Sequence, residues 1–278
     1  MAYKSILVHV DREPPAARRI DAAAAVAAAQ GGHLIGLYVT DRPHLPGYVA
    51  VELPADLIAS WERNVVDGRA QAKALFEERT RLAGVSAEWR EAEGDAVLQV
   101  ALHARYSDLA VIGQLDSERV PAGGAGDLPD RLAIEVGRPV LIVPYAGKFP
   151  TIGRHVVVAW NASREATRAV ADAMGFLTLA KRVTILCVNP TGGLSGHGDV
   201  PGADIALTLA RAGVKAEATH IVSGDVGVGD LLLSRIADLG ADLLVMGAYG
   251  HSRVSEMILG GATRQILGSM TVPVLMSH

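Results

Sequence analysis

Four short segments of this 278-residue chain resemble four later segments in the same order, and this internal repeat restricts the possible folds more than any other feature. The paired segments are residues 5–11 and 155–161, 94–95 and 224–225, 107–113 and 241–247, and 139–143 and 273–277. The spacing between partners changes from pair to pair, which indicates insertions and deletions in loops rather than a short-period solenoid. We therefore predict a duplicated domain, at residues 1–147 and 151–278, with a short linker that keeps the two copies close.

Each repeat alternates short apolar runs, which predict strands, with longer helical patterns. In the first repeat the predicted strands are residues 5–10, 33–39, 87–92, 109–113 and 139–143, and the predicted helices are 16–30, 54–84, 95–106 and 128–136. In the second repeat the predicted strands are 155–160, 183–188, 216–221, 243–247 and 274–276, and the predicted helices lie near 163–180, 201–212, 226–239 and 255–267. Strands that are apolar throughout, with helices between them, predict parallel sheets covered on both faces. The fold class is therefore α/β, with two tandem doubly wound five-stranded sheets that bind ligands at the carboxyl ends of their strands.

Composition and charge exclude several classes of protein. Hydrophobic residues make up 50% of the chain and charged residues 20%, which is not the pattern of a disordered chain. The single cysteine, Cys187, excludes a disulfide framework and a cysteine-based zinc site. The net charge of −4, which arises in residues 1–150, and the 4% aromatic content argue against a binder of nucleic acid or of a membrane. The first residues run directly into a predicted strand without a signal-peptide pattern, and we expect a soluble, cytoplasmic protein.

The strongest candidate for a site follows the fourth predicted strand of the second repeat. Gly247 and Gly250 let the backbone turn sharply there, and Gly260 and Gly261 follow later in the same stretch. Glycine inside a helix is unfavourable by about 1 kcal/mol relative to alanine, so the second pair interrupts the helical pattern and a helix begins near Ala262. The unpaired amides of its first turn and the positive end of its dipole make an anion site. We interpret the two glycine pairs as a phosphate cradle built mainly from backbone.

Side chains near these glycines add to the candidate site. Thr263 supplies a hydroxyl donor, His251 and Arg253 supply further donors, and Glu256 is the acid of this loop. From spacing alone, a flexible glycine-rich surface loop explains the same residues equally well, and both interpretations stay open at this point.

The glycine spacing after a fourth strand is similar to that of the universal stress protein family, and the repeat resembles its tandem two-domain form. Nucleotide-binding members carry Gly-x2-Gly-x9-Gly followed by Ser or Thr, and this chain has Gly247, Gly250, Gly260 and then Gly261. The resemblance covers nearly the whole chain and implies an adenine-nucleotide α-hydrolase-like fold. It also implies that the two fifth strands pair inside one chain as a pseudo-dimer, so that the protein is a pseudo-twofold monomer or a homodimer of such units. The implied ligand is ATP, with ADP and AMP as alternatives.

The predicted nucleotide site combines Thr263 with nine residues that the resemblance supplies. By position, contacts to phosphate and ribose are implied for Gly247, Gly250, Gly260, Gly261 and Ala262, and walls of the adenine and ribose pocket for Ala159, Val188 and Met246. Asn161 replaces the family's acid at the end of the first strand, so it can hydrogen-bond adenine or ribose but brings no charge for Mg²⁺. Gly261 replaces the usual Ser or Thr and removes a hydroxyl, whose hydrogen bond to a charged group is worth about 1.5–3 kcal/mol.

The first repeat departs much further from this pattern. It keeps Asp11 at the end of its first strand, but the residues after its fourth strand include the acids Asp116, Glu118 and Asp127, which repel phosphate. We predict that this repeat has lost the triphosphate site. The inserted segment 44–53 then covers the empty cleft or holds another ligand, and its apolar side chains are Leu45, Tyr48, Val49, Val51 and Leu53.

Several other residues have simpler interpretations. Asp95, Ser163 and the pair Gly224–Asp225 occupy positions typical of helix N-caps, although the pair also lies at the cleft edge. Trp160 stacks on a base or packs in the core. The nine histidines, among them His197, lack the spacing of metal ligands on a helix.

Three functions stay open from the sequence. A regulatory stress-response module would bind the nucleotide in its C-terminal domain and order residues 248–259 as a surface for an unknown protein partner. A slow ATP hydrolase would need a carboxylate for a metal, and Asp225 and Glu256 are the candidates. A nucleotide-free interaction protein would have a closed, dry cleft. We expect the first of these, a regulator rather than an enzyme.

Overall fold

A computed structural model describes residues 2–40, 54–116, 128–190, 200–222, 224–250 and 261–278 of the chain. Its strands form one ten-stranded sheet in the order β3-β2-β1-β4-β5-β10-β9-β6-β7-β8. The strands of the N-terminal half are β1 Ser5–Val10, β2 His33–Thr40, β3 Ser86–Glu93, β4 Leu109–Gly113 and β5 Val140–Val143. Those of the C-terminal half are β6 His155–Ala159, β7 Arg182–Val188, β8 Ala216–Ile221, β9 Leu243–Gly247 and β10 Val274–Ser277. Each half therefore repeats the same strand order, which confirms the predicted α/β class.

Helices connect the strands within each half. The helices of the N-terminal half are α1 Ala16–Gln30, α2 Ala55–Ala83, α3 Ala96–Ala104 and α4 Leu128–Glu135. Those of the C-terminal half are α5 Arg164–Asp172, α6 Met174–Leu177, α7 Ala203–Arg211, α8 Val228–Leu239 and α9 Gly261–Ser269. The predicted segment 44–53 and the residues 251–260 lie outside the described residues.

Pairing within each half is parallel, and the two halves join through an antiparallel pair. Val274, Leu275 and Met276 of β10 lie opposite Ile142, Leu141 and Val140 of β5. The expected pairing of the fifth strands within one chain is therefore confirmed. Because each fifth strand covers the edge of the other, the only edges of the described sheet are β3 and β8.

The hydrophobic core covers both faces of this sheet and crosses the junction between the halves. On one face, a single cluster of buried side chains includes Ile20 of α1 and Phe176 of α6. On the other face, a second cluster includes Leu132 of α4 and Ile266 of α9. Tyr3 strengthens the junction, since its ring lies 5.3 Å from that of Phe176. The two halves therefore share packing as well as strand pairing.

Local signals account for several helix ends. Asp95 accepts a hydrogen bond from the Leu98 amide at 2.8 Å, which confirms it as the cap of α3. Ser163 caps α5 in the same way through the Ala166 amide at 3.1 Å. The prediction for Gly224–Asp225 was wrong, because α8 begins only at Val228 and its N-cap is Gly227, without a capping side chain.

The long helix predicted near residues 163–180 is interrupted, and this corrects the sequence pattern. It consists of α5 and the short α6, which meet at Ala173. Gly175 lies there against Tyr3 and Gln30 of the N-terminal half, where an added Cβ would stand 2.8 Å from the Tyr3 ring. The interruption therefore reflects contact between the halves, which apolar periodicity does not report.

None of the helices in the described part of the chain is long and apolar enough to cross a membrane.

Candidate functional site

A cleft of about 690 Å³ opens at the carboxyl ends of β6, β7 and β9 in the C-terminal half. β6 lies between β7 and β9, so the chain reverses its direction of strand addition beside it. This is the switch point at which doubly wound sheets bind their ligands. The lining residues are Ala159, Trp160, Asn161, Leu186, Val188, Asn189, Gly227, Val228, Leu232, Met246, Gly247, Tyr249, Gly250, Gly261, Ala262, Thr263 and Gln265.

Nine of the ten residues of the predicted site line this one cleft. The tenth, Gly260, lies outside the described residues. His251, Arg253 and Glu256 lie outside them too, and Asp225 is exposed and is not among the lining residues. Trp160 is half-buried, packs against the core and also borders the cleft, so both of its interpretations stay open.

The turn from Gly247 to Gly250 lies directly against the first turn of α5. A Cβ added at Gly247 would stand 2.6 Å from the backbone nitrogen of Ala166, and one added at Gly250 would stand 2.8 Å from a carboxylate oxygen of Glu165. At Gly247 the near atoms are backbone, so this position has no room for a side chain unless α5 moves, whereas at Gly250 the end of the Glu165 side chain can shift. Gly247 therefore allows the turn and the helix to approach closely.

Helix α9 forms the opposite side of the cleft and begins at Gly261, one residue from the predicted start. The amides of its first turn have no partner within the helix, as at any helix N-terminus. Thr263 is buried, and its hydroxyl oxygen accepts the Tyr249 amide at 3.3 Å. The Ala248 amide donates to the Ser277 carbonyl at 2.8 Å. Two amides of the turn are thus engaged within the protein, and an anion would rely on the first turn of α9.

Backbone strain is concentrated at this edge of the sheet. Among the described residues, the non-glycine residues with positive φ are Ala162, Asn189 and Tyr249, at 56°, 50° and 55°. All three follow the carboxyl end of a strand of the C-terminal half, and two of them line the cleft. Such conformations are unfavourable by about 1–3 kcal/mol each and occur mainly at functional sites.

Asn161 takes the place that Asp11 takes in the N-terminal half. Its side-chain oxygen accepts the Ser163 amide at 3.2 Å, as the Asp11 carboxylate accepts the Glu13 amide at 3.0 Å. The same local turn is therefore built in both halves. The second carboxylate oxygen of Asp11 pairs with a cation, Arg19, whereas Asn161 has a neutral NH₂ group at that position.

Glu165 places a negative charge beside the turn. Its side chain is 9% exposed and pairs with Arg164 at 3.1 Å. Burial raises the pKa of this carboxyl, but hydrogen bonds from its own amide and from Arg164 hold the pKa below its usual range. Glu165 is therefore ionised at neutral pH, close to Gly250.

At the corresponding edge of the N-terminal half, the pocket between β1, β4 and the start of α1 has a volume of about 90 Å³. Arg19 extends from α1 into this space, where its guanidinium lies 2.8 Å from the Asp11 carboxylate and donates to the His9 carbonyl at 2.6 Å. Gly113 lines the same space, and a Cβ added there would meet the end of the Arg19 side chain. Asp116 borders the cleft as predicted, whereas Glu118 and Asp127 lie outside the described residues.

Arg19 also balances the negative charge of Asp11 in the cluster that these two residues form with His9. Burial raises the pKa of Asp11, but Arg19 outweighs burial and lowers the pKa below its usual range. Burial lowers the pKa of His9 to about 4, and Arg19 adds to that shift against the opposing effect of Asp11. At neutral pH the cluster is therefore an Arg19–Asp11 ion pair beside a neutral histidine.

Sequence reasoning missed several residues of the larger cleft. Asn189 and Leu186 come from β7 and its end, Gly227, Val228 and Leu232 come from α8, and Gln265 comes from α9. Gln265 lies against Gly227, 3.2 Å from where a Cβ would stand. The two glycines at 227 and 229 in the first turn of α8 were a signal for this close approach.

Comparisons with known proteins agree with this architecture. Residues 153–278 match the model of the Universal stress protein family. A universal stress protein from Synechocystis sp. is 24% identical over 98% of this chain and 99% of its own length. The crystal structure of a universal stress protein from Archaeoglobus fulgidus DSM 4304 has a TM-score of 0.74 at 16% identity, with 100% of this chain and 96% of that chain covered. That of a putative universal stress protein from Pseudomonas aeruginosa UCBPP-PA14 has a TM-score of 0.56 at 17% identity, with 99% and 93% covered.

Proposed function

On the match of residues 153–278 to the universal stress protein family, we propose that this chain is a universal stress protein that binds an adenine nucleotide in its C-terminal half and acts as a regulator in a stress response. ATP is the first candidate, and ADP and AMP are the alternatives. The nucleotide-binding unit is the proposed domain 151–278, and the proposed domain 1–147 binds no nucleotide in this way.

One observation carries the proposal. The cleft at the switch point has a volume of about 690 Å³ and is lined by every described residue of the site that the sequence predicts. Pockets for small molecules have volumes of about 300–1,000 Å³ and combine apolar walls with a few polar groups. The volume and the lining both match a ligand of nucleotide size.

The lining divides into an apolar part and an anion-binding part. Ala159, Val188 and Met246 supply apolar walls suited to a purine ring. The first turn of α9, which includes Ala262, supplies backbone amides and the positive end of the helix dipole, which favour phosphate. Asn161 adds a neutral side-chain amide that can hydrogen-bond base or ribose. These residues can recognise the base, ribose and phosphate of a nucleotide without a charged side chain.

Mg²⁺ has no assigned ligand in this proposal. In the described part of the chain, no cluster of three or more His, Cys, Asp or Glu side chains is arranged to hold a metal ion. Of the two acids considered for a hydrolase, Asp225 does not line the cleft and Glu256 lies outside the described residues.

The open cleft also differs from the closed one expected of a nucleotide-free interaction protein. Regulation by bound nucleotide is therefore the function that we propose; the protein partner is unidentified, and cytoplasmic location stays a prediction.

Isothermal titration of the full chain with ATP, ADP and AMP tests this proposal. We expect one ATP per chain, and a loss of affinity of at least tenfold, about 1.4 kcal/mol, in Ala262→Glu. An acid in the first turn favours the helix itself, so this variant should fold while its carboxylate repels phosphate.

Ala203→Glu is the matched control, since Ala203 is exposed and begins α7 away from the cleft. It should bind ATP like the wild type. A wild type that binds none of the three nucleotides, or equal affinity in Ala262→Glu, would contradict the proposal.

A further inference from the structure

One side chain of the nucleotide cleft is held by the other half of the molecule. The hydroxyl of Tyr249, in the turn between Gly247 and Gly250, donates a hydrogen bond to the Asp130 carboxylate of α4. Burial raises the pKa of Tyr249, and the bond to Asp130 raises this pKa further, so the hydroxyl stays protonated and remains a donor. Arg264 of α9 also faces this hydroxyl. The bond therefore joins the turn to a helix of the N-terminal half.

The N-terminal half also holds the opposite side of the cleft. The side-chain nitrogen of Gln114, next to β4, donates to the Leu267 carbonyl of α9 at 2.9 Å in a buried position. Gln114 is itself fixed, because its amide donates to the Val143 carbonyl at 2.8 Å and its side-chain oxygen accepts the Tyr145 amide at 3.3 Å. Both parts of the phosphate cradle, the turn and α9, thus rest on groups of the N-terminal half.

This support acts in one direction only. The repeat that aligns Gly113 with Gly247 places Leu115 at the position of Tyr249, and leucine has no hydroxyl to donate. The same alignment places Asp130 opposite Arg264. The C-terminal half therefore donates a hydrogen bond to the N-terminal half through Tyr249, whereas Leu115 of the N-terminal half has no hydroxyl with which to donate one to the C-terminal half.

The backbone of Tyr249 explains why such support is needed. Its φ of 55° is unfavourable for a residue with a side chain, and it persists only where neighbouring groups fix it. Its amide donates to Thr263 and its hydroxyl to Asp130, so both ends of the residue are held. Without the bond from its hydroxyl to Asp130, Tyr249 is held only by its amide, and the turn from Gly247 to Gly250 is less firmly fixed.

We propose that Asp130 is a positioning residue of the C-terminal nucleotide site, which it supports by holding Tyr249 and hence the turn from Gly247 to Gly250. The proposal rests on the proposed function of the cleft. Asp130 does not touch the nucleotide; its effect passes through the Tyr249 hydroxyl. The full affinity of the C-terminal half for the nucleotide then depends on a side chain of the N-terminal half.

A double-mutant cycle, with ATP titrated into the full chain, tests this role. Asp130→Ala and Tyr249→Phe should each weaken ATP binding about five- to tenfold. Asp130→Asn should fall between Asp130→Ala and the wild type, because its amide oxygen still accepts the hydroxyl. Asp130→Ala combined with Tyr249→Phe should bind like Tyr249→Phe alone, since the two changes remove the same bond. Glu135→Ala is the control, because Glu135 is an exposed acid on the same helix, where it pairs with Arg131.

The outcomes separate this proposal from the function on which it rests. If the wild type binds ATP and Asp130→Ala binds it equally well, the positioning role is wrong while the proposed function stands. If Asp130→Ala weakens binding just as much in the Tyr249→Phe background, Asp130 does not act through Tyr249, and the role is wrong again. A wild type that binds no nucleotide overturns both. Tyr249→Phe keeps the ring and its packing, so it tests the bond even if Asp130→Ala fails to fold.

Discussion

The two halves of the sheet have the same strand order, but the volumes of their clefts differ greatly. The C-terminal cleft has a volume of about 690 Å³, whereas its N-terminal counterpart has about 90 Å³. By the register that aligns Asp11 with Asn161, Arg19 corresponds to Ala169. A buried arginine paired with an acid thus occupies the pocket of the N-terminal half, whereas Ala169 is buried in the core and does not line the C-terminal cleft. Both halves keep the same strand order, and side chains at corresponding positions distinguish their clefts.

The largest expected effect is on the ion pair that fills the N-terminal cleft. Arg19→Met keeps the stem of the side chain but leaves Asp11 without its partner, and the side chain of Asp11 is 31% exposed. Removing one partner of a buried pair costs about 3–5 kcal/mol, and the partial exposure of Asp11 places the loss near the lower end, at about 3 kcal/mol. Urea unfolding of the full chain measures this difference.

Arg79→Met is the matched control for that prediction. Arg79 pairs with Asp21 at 3.0 Å, but both side chains are exposed, so its loss should cost less than about 1 kcal/mol. Equal losses in the two variants would mean that the Arg19–Asp11 pair is not what distinguishes the N-terminal cleft.

The next effect is the dependence of stability on pH. It distinguishes the two halves because His9 of the N-terminal half aligns with Ala159, which does not titrate. Folded His9 has a pKa of about 4, below the 6.5 of the unfolded chain. Between these values the unfolded state takes up a proton that the folded state does not, so stability falls as pH drops from about 6.5 to about 4. The loss from this residue approaches about 3 kcal/mol at pH 4. His9→Gln should flatten the pH dependence of the unfolding free energy over this range, and an unchanged slope would contradict the prediction.

A smaller effect distinguishes the two corresponding glycines. Gly247→Ala would bring a Cβ to 2.6 Å from the Ala166 backbone nitrogen, which moves only if α5 shifts, and we expect a loss of about 2 kcal/mol together with weaker ATP binding. Gly113→Ala would meet the end of the Arg19 side chain, which can adjust more easily, at about 1 kcal/mol. Thermal unfolding of the two variants ranks them, and a reversed order would show that the turn at Gly247 tolerates a side chain.

The sequence predicts most of the sheet well because its central strands are apolar, and the repeat pairs β1, β4 and β5 with β6, β9 and β10. β1, β4, β8 and β9 begin and end as predicted. The errors lie where distant contacts decide: α5 and α6 separate at a contact with Tyr3, and α8 starts later than the Asp225 signal indicates. Periodicity describes one element at a time and does not include such contacts.

The site divides in a similar way. The glycines and apolar walls of the C-terminal cleft follow from motif spacing and strand ends, which are local. The roles of Arg19 and Tyr249 do not, because each depends on a partner supplied by another element: the end of β1 for Arg19, and Asp130, 119 residues away, for Tyr249. The acids of the first repeat indicated a lost phosphate site, but they did not reveal that an arginine occupies the cleft.

Hydrogen exchange followed by mass spectrometry, with and without ATP, tests the difference between the halves most directly. We expect ATP to slow exchange in residues 243–250 and 261–269 and to leave the corresponding residues 109–113 of the N-terminal cleft unchanged. Protection of residues 109–113 to the same extent, or no protection in either half, would contradict the assignment of the nucleotide to the C-terminal cleft.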